Sequence, residues 1–144
     1  MSDFNDQIIA EFRSNGGTVT TNGFGRSLVL VHTVGARTKA SRVSPLMAIP
    51  QPQGGWLIAA SKAGAPDNPA WFANLVAHPE TVIEVGDGEA VTTVEVTASV
   101  LEGAERDAAW AQFTATSPGF ADYQVRAGGR VIPVVLLSPR DTGR

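Results

Sequence analysis

The chain has 144 residues, enough to bury one hydrophobic core but too few for two. Hydrophobic residues make up 43% and charged residues 17%, a balance typical of globular rather than disordered proteins. The absence of cysteine excludes disulfides, thiolate nucleophiles and cysteine-ligated metal sites, and the formal net charge of −3 argues against a general nucleic-acid binder.

The opening segment MSDFNDQIIAEF predicts an amphipathic helix over residues 3–14, with its apolar side chains on one face. It has neither the basic start nor the long apolar core of a signal peptide. No apolar run in the chain approaches the roughly 20 residues that span a bilayer. We therefore expect a cytoplasmic protein. Docking of this helix on a membrane or a partner protein is the alternative to packing on its own domain.

The rest of the chain predicts short strands, turns and a few helices. We expect strands in SLVLVHTVG, VSPLMAIP, GWLIAAS, TVIEVGDGEAVTTVEVTASV (two strands) and VIPVVLLS. The links QPQGG and Gly-Asp-Gly predict hairpin turns. Further helices are expected at 68–77 and 103–115, and GFADYQVRAGG predicts a short helical or irregular piece. Short strands with turn-length connections favour an α+β protein, a small antiparallel barrel with packed helices.

Conventional catalytic motifs are scarce in this sequence. Neither GxGxxG nor GxxxxGK[ST] occurs, and no G-x-S-x-G elbow marks a serine nucleophile. His32 and His78 are each either structural or a general base. No further ligands at suitable spacing accompany them, so we expect no metal site. If the protein is an enzyme, a cofactor carries the difficult chemistry.

A local cluster of cations stands out in this acidic chain. The stretch GARTKASRVSPL places Arg37, Lys39 and Arg42 within six positions, and residues 63–105 contain no Lys or Arg. Arginine binds phosphate or carboxylate through two parallel hydrogen bonds, and lysine adds a compact charge. The spacing alone leaves two readings open, a docking place for a compact anionic ligand and an ordinary solvated loop.

Three segments together resemble a known family. They are T-V-G-A-R-T-K-A-S-R-V-S-P-L (33–46), A-A-S-K-A-G-A-P-D-N-P-A-W-F-A-N-L (59–75) and R-V-I-P-V-V (130–135). They are similar to the deazaflavin-dependent nitroreductases, split-barrel reductases that use coenzyme F420. The resemblance implies a split β-barrel of the FMN-binding type, mainly antiparallel and six- to seven-stranded, over residues 16–144 after an N-terminal helix of residues 1–15.

The resemblance also implies an activity. Members of this family transfer a hydride from reduced F420 to an electron-poor conjugated acceptor. The acceptors include quinones, nitroaromatics and α,β-unsaturated lactones or esters such as coumarins and aflatoxins. We expect a small-molecule acceptor, no nucleic acid, and a monomer or weak homodimer. The alternatives are an FMN-dependent oxidoreductase and a non-catalytic module that binds flavin, deazaflavin or haem.

The positions that match the family's motifs define an expected site. The implied cofactor-binding residues are Arg37, Thr38, Lys39, Arg42, Pro45, Leu46, Ala60, Ser61, Lys62, Trp71 and Asn74. The cations would grip the cofactor's phosphodiester and oligoglutamate tail. Tyr123 matches a tyrosine of the substrate pocket and is the implied catalytic residue. Each of the three helical positions has a plainer alternative: core packing for Trp71, surface exposure for Asn74 and ordinary half-buried packing for Tyr123.

Overall fold

The computed structural model describes most of the chain, namely residues 2–20, 25–35, 41–52, 54–60, 69–116, 119–126 and 131–140, without the side chains of residues 2–5 and 126. Within these ranges, seven strands form one curled antiparallel sheet and four helices pack around it. The expected α+β split barrel is therefore confirmed, and the neighbouring folds reported below agree with it.

The helices and strands occur close to where the sequence predicts them. The strands are β1 (Leu28–Val34), β2 (Ser41–Met47), β3 (Ile49–Pro50), β4 (Trp56–Ala59), β5 (Glu80–Gly86), β6 (Val91–Val100) and β7 (Val134–Pro139). The helices are α1 (Ser2–Ser14), α2 (Ala70–Ala77), α3 (Gly103–Thr116) and α4 (Gly119–Arg126). Helix α2 starts later than expected because Pro69 is its N-cap, held in an extended conformation. The described part of the segment left open as helical or irregular, residues 119–126, forms the regular helix α4.

One predicted strand is in fact two. The run VSPLMAIP was expected to be continuous, but it divides at Ala48, whose N–H donates to the carbonyl oxygen of Ser27. The strand before this point, β2, pairs with β1, while β3 pairs with β4 in the predicted hairpin. The sheet order is β2-β1-β5-β6-β7-β4-β3. Because the two edge strands follow each other in the chain, the sheet has to curl round into a barrel.

The barrel wall has a core on each side. Inside the barrel, the buried cluster comprises Val29, Val31, Ala48, Ile58, Leu75, Ile83, Val96, Val135 and Leu137. On the outside, α3 and α4 cover β4 and β7 through a second cluster of Leu57, Ala109, Phe113, Phe120 and Val134. Successive residues of a strand alternate between these two sides, as the period of two requires.

Helix α1 packs on the outer face of the barrel. Its Ile8 and Phe12 are buried against Leu28 and Leu30 of β1. The apolar face that the sequence predicts for this helix is therefore covered by its own barrel over the described side chains. None of the helices in the described ranges is both long enough and apolar enough to cross a membrane.

Candidate cofactor site

The strand ends converge at one end of the barrel, which we call the loop end. Here β1 ends at Val34, β2 begins at Ser41, β4 ends at Ala59 and β7 begins at Val134. Helix α2 lies across this end and contacts β1 and β6. Because antiparallel neighbours reverse direction, the connections that leave these strands start from the same end of the barrel.

Two strand edges at the loop end lack a described partner strand. Strand β2 pairs only with β1, while β3 pairs with β4 at Trp56 and Leu57 and no further along it. Within the described residues, β2 and the last part of β4, Ile58–Ala59, therefore have no strand hydrogen-bonded between them, although β2 and β4 are in contact. We call this gap the seam. Several of the sequence-predicted residues border this gap, and no strand pairing across it is described.

The structure places several predicted residues on the inner side of the seam. Leu46 is the register partner of Val29, and both Leu46 and Trp71 pack against the inner core. Ala60, just past β4, is fully buried and its N–H donates to the carbonyl oxygen of Pro133 at 2.9 Å. Asn74 of α2 is buried as well, which excludes the alternative that it is an ordinary surface residue. Trp71 is part of the core packing, whichever other role it has.

Pro45 and Tyr123 lie on the outer side. Pro45 is the register partner of Leu30, which faces α1. Tyr123 is half-buried and packs edge-to-face on Phe120, with ring centroids 5.5 Å apart. It belongs to the same outer cluster as Met47 of β2 and Ala59 of β4, which stand on either side of the seam. The predicted residues thus border the seam on both of its faces.

Helix α4, which carries Tyr123, is held by a polar clamp. Arg106 of α3 donates through Nη2 to the carbonyl oxygen of Ile132 at 2.7 Å and to Gln124 Oε1 at 3.3 Å. The same amide oxygen accepts the backbone N–H of Ile132 at 3.2 Å. The guanidinium also stacks over Trp110, 5.1 Å from the ring centroid. These contacts fix α4 to the entrance of β7 and so hold the tyrosine beside the seam.

Arg42 is the predicted cation that the structure describes. It is exposed, and no described residue forms a salt bridge with it. Its register partner is Thr33, so the two side chains share a face of the sheet at the loop end. Thr33 is 3% exposed, and its buried hydroxyl has no hydrogen-bond partner among the described residues. A buried hydroxyl without a partner costs free energy, so its presence requires an explanation.

Five predicted positions lie outside the described residues. They are Arg37, Thr38, Lys39, Ser61 and Lys62. The described residues that precede them, Gly35 and Ala60, are both at the loop end.

An apolar pocket of about 230 Å³ opens between α2 and the sheet. Its walls are formed by Phe72, Leu75, Val76, Pro79, Ala98, Val100 and Val135. These side chains can shelter an apolar group but supply no proton donor.

Neither histidine forms part of the seam. His32 Nε2 is 2.7 Å from Oε2 of Glu84, beneath α1. His78 is the C-cap of α2, where its N–H donates to the carbonyl oxygen of Asn74. The structural alternative for both is thus supported by direct contacts. In the described ranges, no group of three His, Asp or Glu side chains could hold a metal ion.

Neither Thr33 nor Glu84 carries a signal in the sequence that marks it as a functional residue. Thr33 entered only as the first letter of a motif, and nothing in the pattern shows that its hydroxyl is unpaired. Glu84 alternates with valine and isoleucine in β5, which is typical of a solvent-facing position. It is buried because α1 covers that face.

The family model for F420H(2)-dependent quinone reductases matches residues 6–139. The chain belongs to this family. The resemblance found in the sequence motifs is thereby confirmed. An F420H(2)-dependent quinone reductase of Mycobacterium tuberculosis strain H37Rv is 35% identical over 115 residues, which are 78% of this chain and 73% of that protein.

Solved structures support the same assignment. An F420-H2 dependent reductase, FDR-A, has a TM-score of 0.68 and 34% identity, covering 78% of this chain and 95% of its own. A domain-swapped dimer also has a TM-score of 0.68, with 32% identity and coverage of 94% and 96%. HutZ, a haem storage protein of Vibrio cholerae, has a TM-score of 0.61 at 16% identity, over 96% of this chain and 92% of its own, a likeness that shows the fold alone.

The described residues fit the cofactor of this family. F420 joins a flat ring to a long polyanionic tail. No described strand is hydrogen-bonded across the seam, where a flat group can lie, and Arg42 offers a charge that no described carboxylate neutralises. The Thr33 hydroxyl, which no described residue hydrogen-bonds, is a further polar group able to bond a ligand. The donor set therefore suits a ligand that is flat at one end and anionic at the other.

Proposed function

We propose that this protein is a reductase that uses reduced F420 to reduce a quinone or a related electron-poor conjugated acceptor. The observation that carries this proposal is the family match over residues 6–139. The described parts of its motif segments include the strand ends at the loop end of the barrel. Reduced F420, when bound, supplies a hydride from C5 of its deazaflavin ring. Nitroaromatics and unsaturated lactones or esters such as coumarins and aflatoxins are proposed as further acceptors.

Cofactor binding is assigned to the residues of the loop end. Arg42, with Arg37, Lys39 and Lys62, is proposed to hold the anionic tail. Arginine suits this role because its planar fork bonds phosphate and carboxylate at two points, and lysine tolerates a mobile partner because it acts as a point charge. The ring is assigned to Pro45, Leu46, Ala60, Trp71 and Asn74 at the seam and its flanks, together with Thr38 and Ser61, which lie outside the described residues.

The chain's own contribution to rate is alignment and exclusion of water. The inner core and the aromatic cluster beneath α3 and α4 make both flanks of the seam apolar. An apolar, rigid surround holds donor and acceptor in line and strengthens the hydrogen bonds made inside it. Tyr123 is the proposed catalytic residue, because a neutral phenol can donate a hydrogen bond to an acceptor oxygen as negative charge develops on it.

The activity itself can be tested by adding menadione to the protein with reduced F420. We expect protein-dependent oxidation of F420, followed by its absorbance. A non-catalytic storage module would bind the reduced cofactor without accelerating its oxidation. That outcome would refute the reductase and leave a binding protein.

The role of Tyr123 can be tested separately from binding. Tyr123→Phe should leave F420 affinity unchanged, because the ring still packs on Phe120. Turnover of acceptors that develop oxyanion character should fall by about tenfold or more, since the donor is lost. Val125→Ala, at an 80% exposed position of the same helix, is the matched control and should change neither quantity. Single-turnover rates equal to the parent's would instead assign protonation to solvent.

Several expectations from the sequence stay predictions. They are the cytoplasmic location, the monomer or weak homodimer, the absence of a nucleic-acid partner, and the division into an N-terminal helix over residues 1–15 and a cofactor-binding barrel domain over residues 16–144. Membrane association through α1 stays the less favoured alternative.

A further inference from the structure

A buried carboxylate joins three elements on the outer wall of the barrel. Glu84 of β5 is 8% exposed. Arg13 of α1 donates to it twice, from Nε to Oε1 at 2.9 Å and from Nη2 to Oε2 at 2.6 Å. His32 of β1 approaches the same Oε2 with Nε2 at 2.7 Å. The hydrogen bonds from Arg13 are the main reason that the pKa of the Glu84 carboxyl lies below its ordinary value, and His32 adds to the effect.

These contacts replace strand pairing at the end of β1. Along β2, β1 is paired at every residue from Leu28 to Val34. Along β5, its pairing covers Leu30 and Val31 alone. Beyond Val31, the described links between β1 and β5 are made by side chains. They are the His32–Glu84 contact and a hydrogen bond from Thr81 Oγ1 to the carbonyl oxygen of His32 at 2.6 Å.

The end of β1 that is held in this way is paired with Arg42, a proposed tail-binding residue on β2. His32 directly precedes Thr33, whose register partner on β2 is Arg42. The basic segment of residues 36–40 follows Gly35 in the chain. A shift of β1 away from β5 would carry β2 with it, because these two strands share seven register pairs.

We propose that Glu84 is a positioning residue for the cofactor site: with Arg13 and His32 it holds the end of β1, and therefore Arg42, where the anionic tail of F420 binds. This inference rests on the proposed function. Through Arg13, helix α1 then contributes to cofactor binding, although other elements form the seam.

The direction in which the affinity for F420 changes distinguishes a positioning role of Glu84 from an electrostatic one. Glu84→Gln removes a negative charge, so electrostatic attraction alone would tighten the binding of an anionic cofactor. Positioning predicts the opposite, a dissociation constant raised by about fivefold or more. The turnover number at saturating F420 should stay at the parent's value, because the reacting groups are unchanged once the cofactor is bound.

Two further variants keep the test independent of folding defects. His32→Phe retains a flat ring and the Arg13–Glu84 pair but removes the link to β1, and it should raise the dissociation constant as Glu84→Gln does. Asp87→Asn is the matched control, because it removes the same negative charge from a hydrogen-bonded carboxylate in the turn between β5 and β6, at the end of the barrel opposite to the loop end. It should leave F420 affinity unchanged.

The measurement is a titration of each purified variant with F420, followed by tryptophan fluorescence, with a thermal melt of the same samples. Unchanged or tighter binding in Glu84→Gln and His32→Phe would overturn the positioning role. Equal weakening in Asp87→Asn would overturn it too, because the effect would then reflect general destabilisation. Failure of the parent protein to bind F420 would overturn the proposed function as well.

Discussion

Replacing Arg42 with alanine is expected to raise the dissociation constant for F420 about ten- to a hundredfold and to leave the fold intact. The side chain is exposed, and no described residue forms a salt bridge with it, so its removal leaves no buried group unpaired. A hydrogen bond to a charged group contributes roughly 1.5–3 kcal/mol, which corresponds to that range of affinity. Titration with F420, followed by tryptophan fluorescence, measures the change.

Arg26→Ala is the matched control for this variant. Arg26 is also exposed, but it lies at the opposite end of the barrel, beside the turn between β5 and β6. Each variant loses one positive charge, so a difference between their affinities for F420 depends on where that charge lies. The affinity of the parent protein for F420 should fall with added salt, and the affinity of Arg42→Ala should fall less steeply. Equal affinity for F420 in the parent and Arg42→Ala would contradict a binding role and favour the alternative that the basic segment is a solvated surface loop.

Most of the fold could be predicted because the elements follow from local pattern. The β-branched runs of β1, β5 and β6 and the Gly-Asp-Gly turn indicate strands and a hairpin wherever they occur. The division of the second predicted strand at Ala48 could not be predicted. The run around it is continuously strand-forming, and the break is decided by the Ala48–Ser27 hydrogen bond and by pairing of the next residues with β4.

Helix α4 shows a second limit of local pattern. Its eight residues are too few to be stable as an isolated helix. It is held by tertiary contacts, since Phe120 packs on Phe113 with ring centroids 5.2 Å apart and Gln124 binds Arg106. The sequence therefore left this segment open between helical and irregular.

The site was predictable to a different degree from residue to residue. Motif positions such as Leu46, Ala60 and Tyr123 were reached through the family resemblance, and the structure places them around the seam. Glu84 could not be reached in this way. Its partner Arg13 is 71 positions away in the chain, and a carboxylate flanked by apolar residues in a strand is typical of an exposed face until α1 is known to cover it.

The anionic tail of the cofactor distinguishes F420 from FMN as the ligand of this protein. Both cofactors carry a tricyclic ring on a phosphorylated ribityl chain, but F420 continues through lactate into several glutamates. Arg37, Lys39, Arg42 and Lys62 provide more positive charge than one terminal phosphate requires. The family match supports F420, and the structural likeness to HutZ at 16% identity does not discriminate between cofactors.

Parallel titration of the purified protein with F420 and FMN, read through its three tryptophans, tests the assignment of F420 most directly. We expect F420 to bind at least about tenfold more tightly, a difference of about 1.4 kcal/mol, and the protein to purify without stoichiometric flavin. Tighter binding of FMN, or co-purification of a stoichiometric yellow flavin, would contradict the assignment of F420 and indicate an FMN-dependent oxidoreductase.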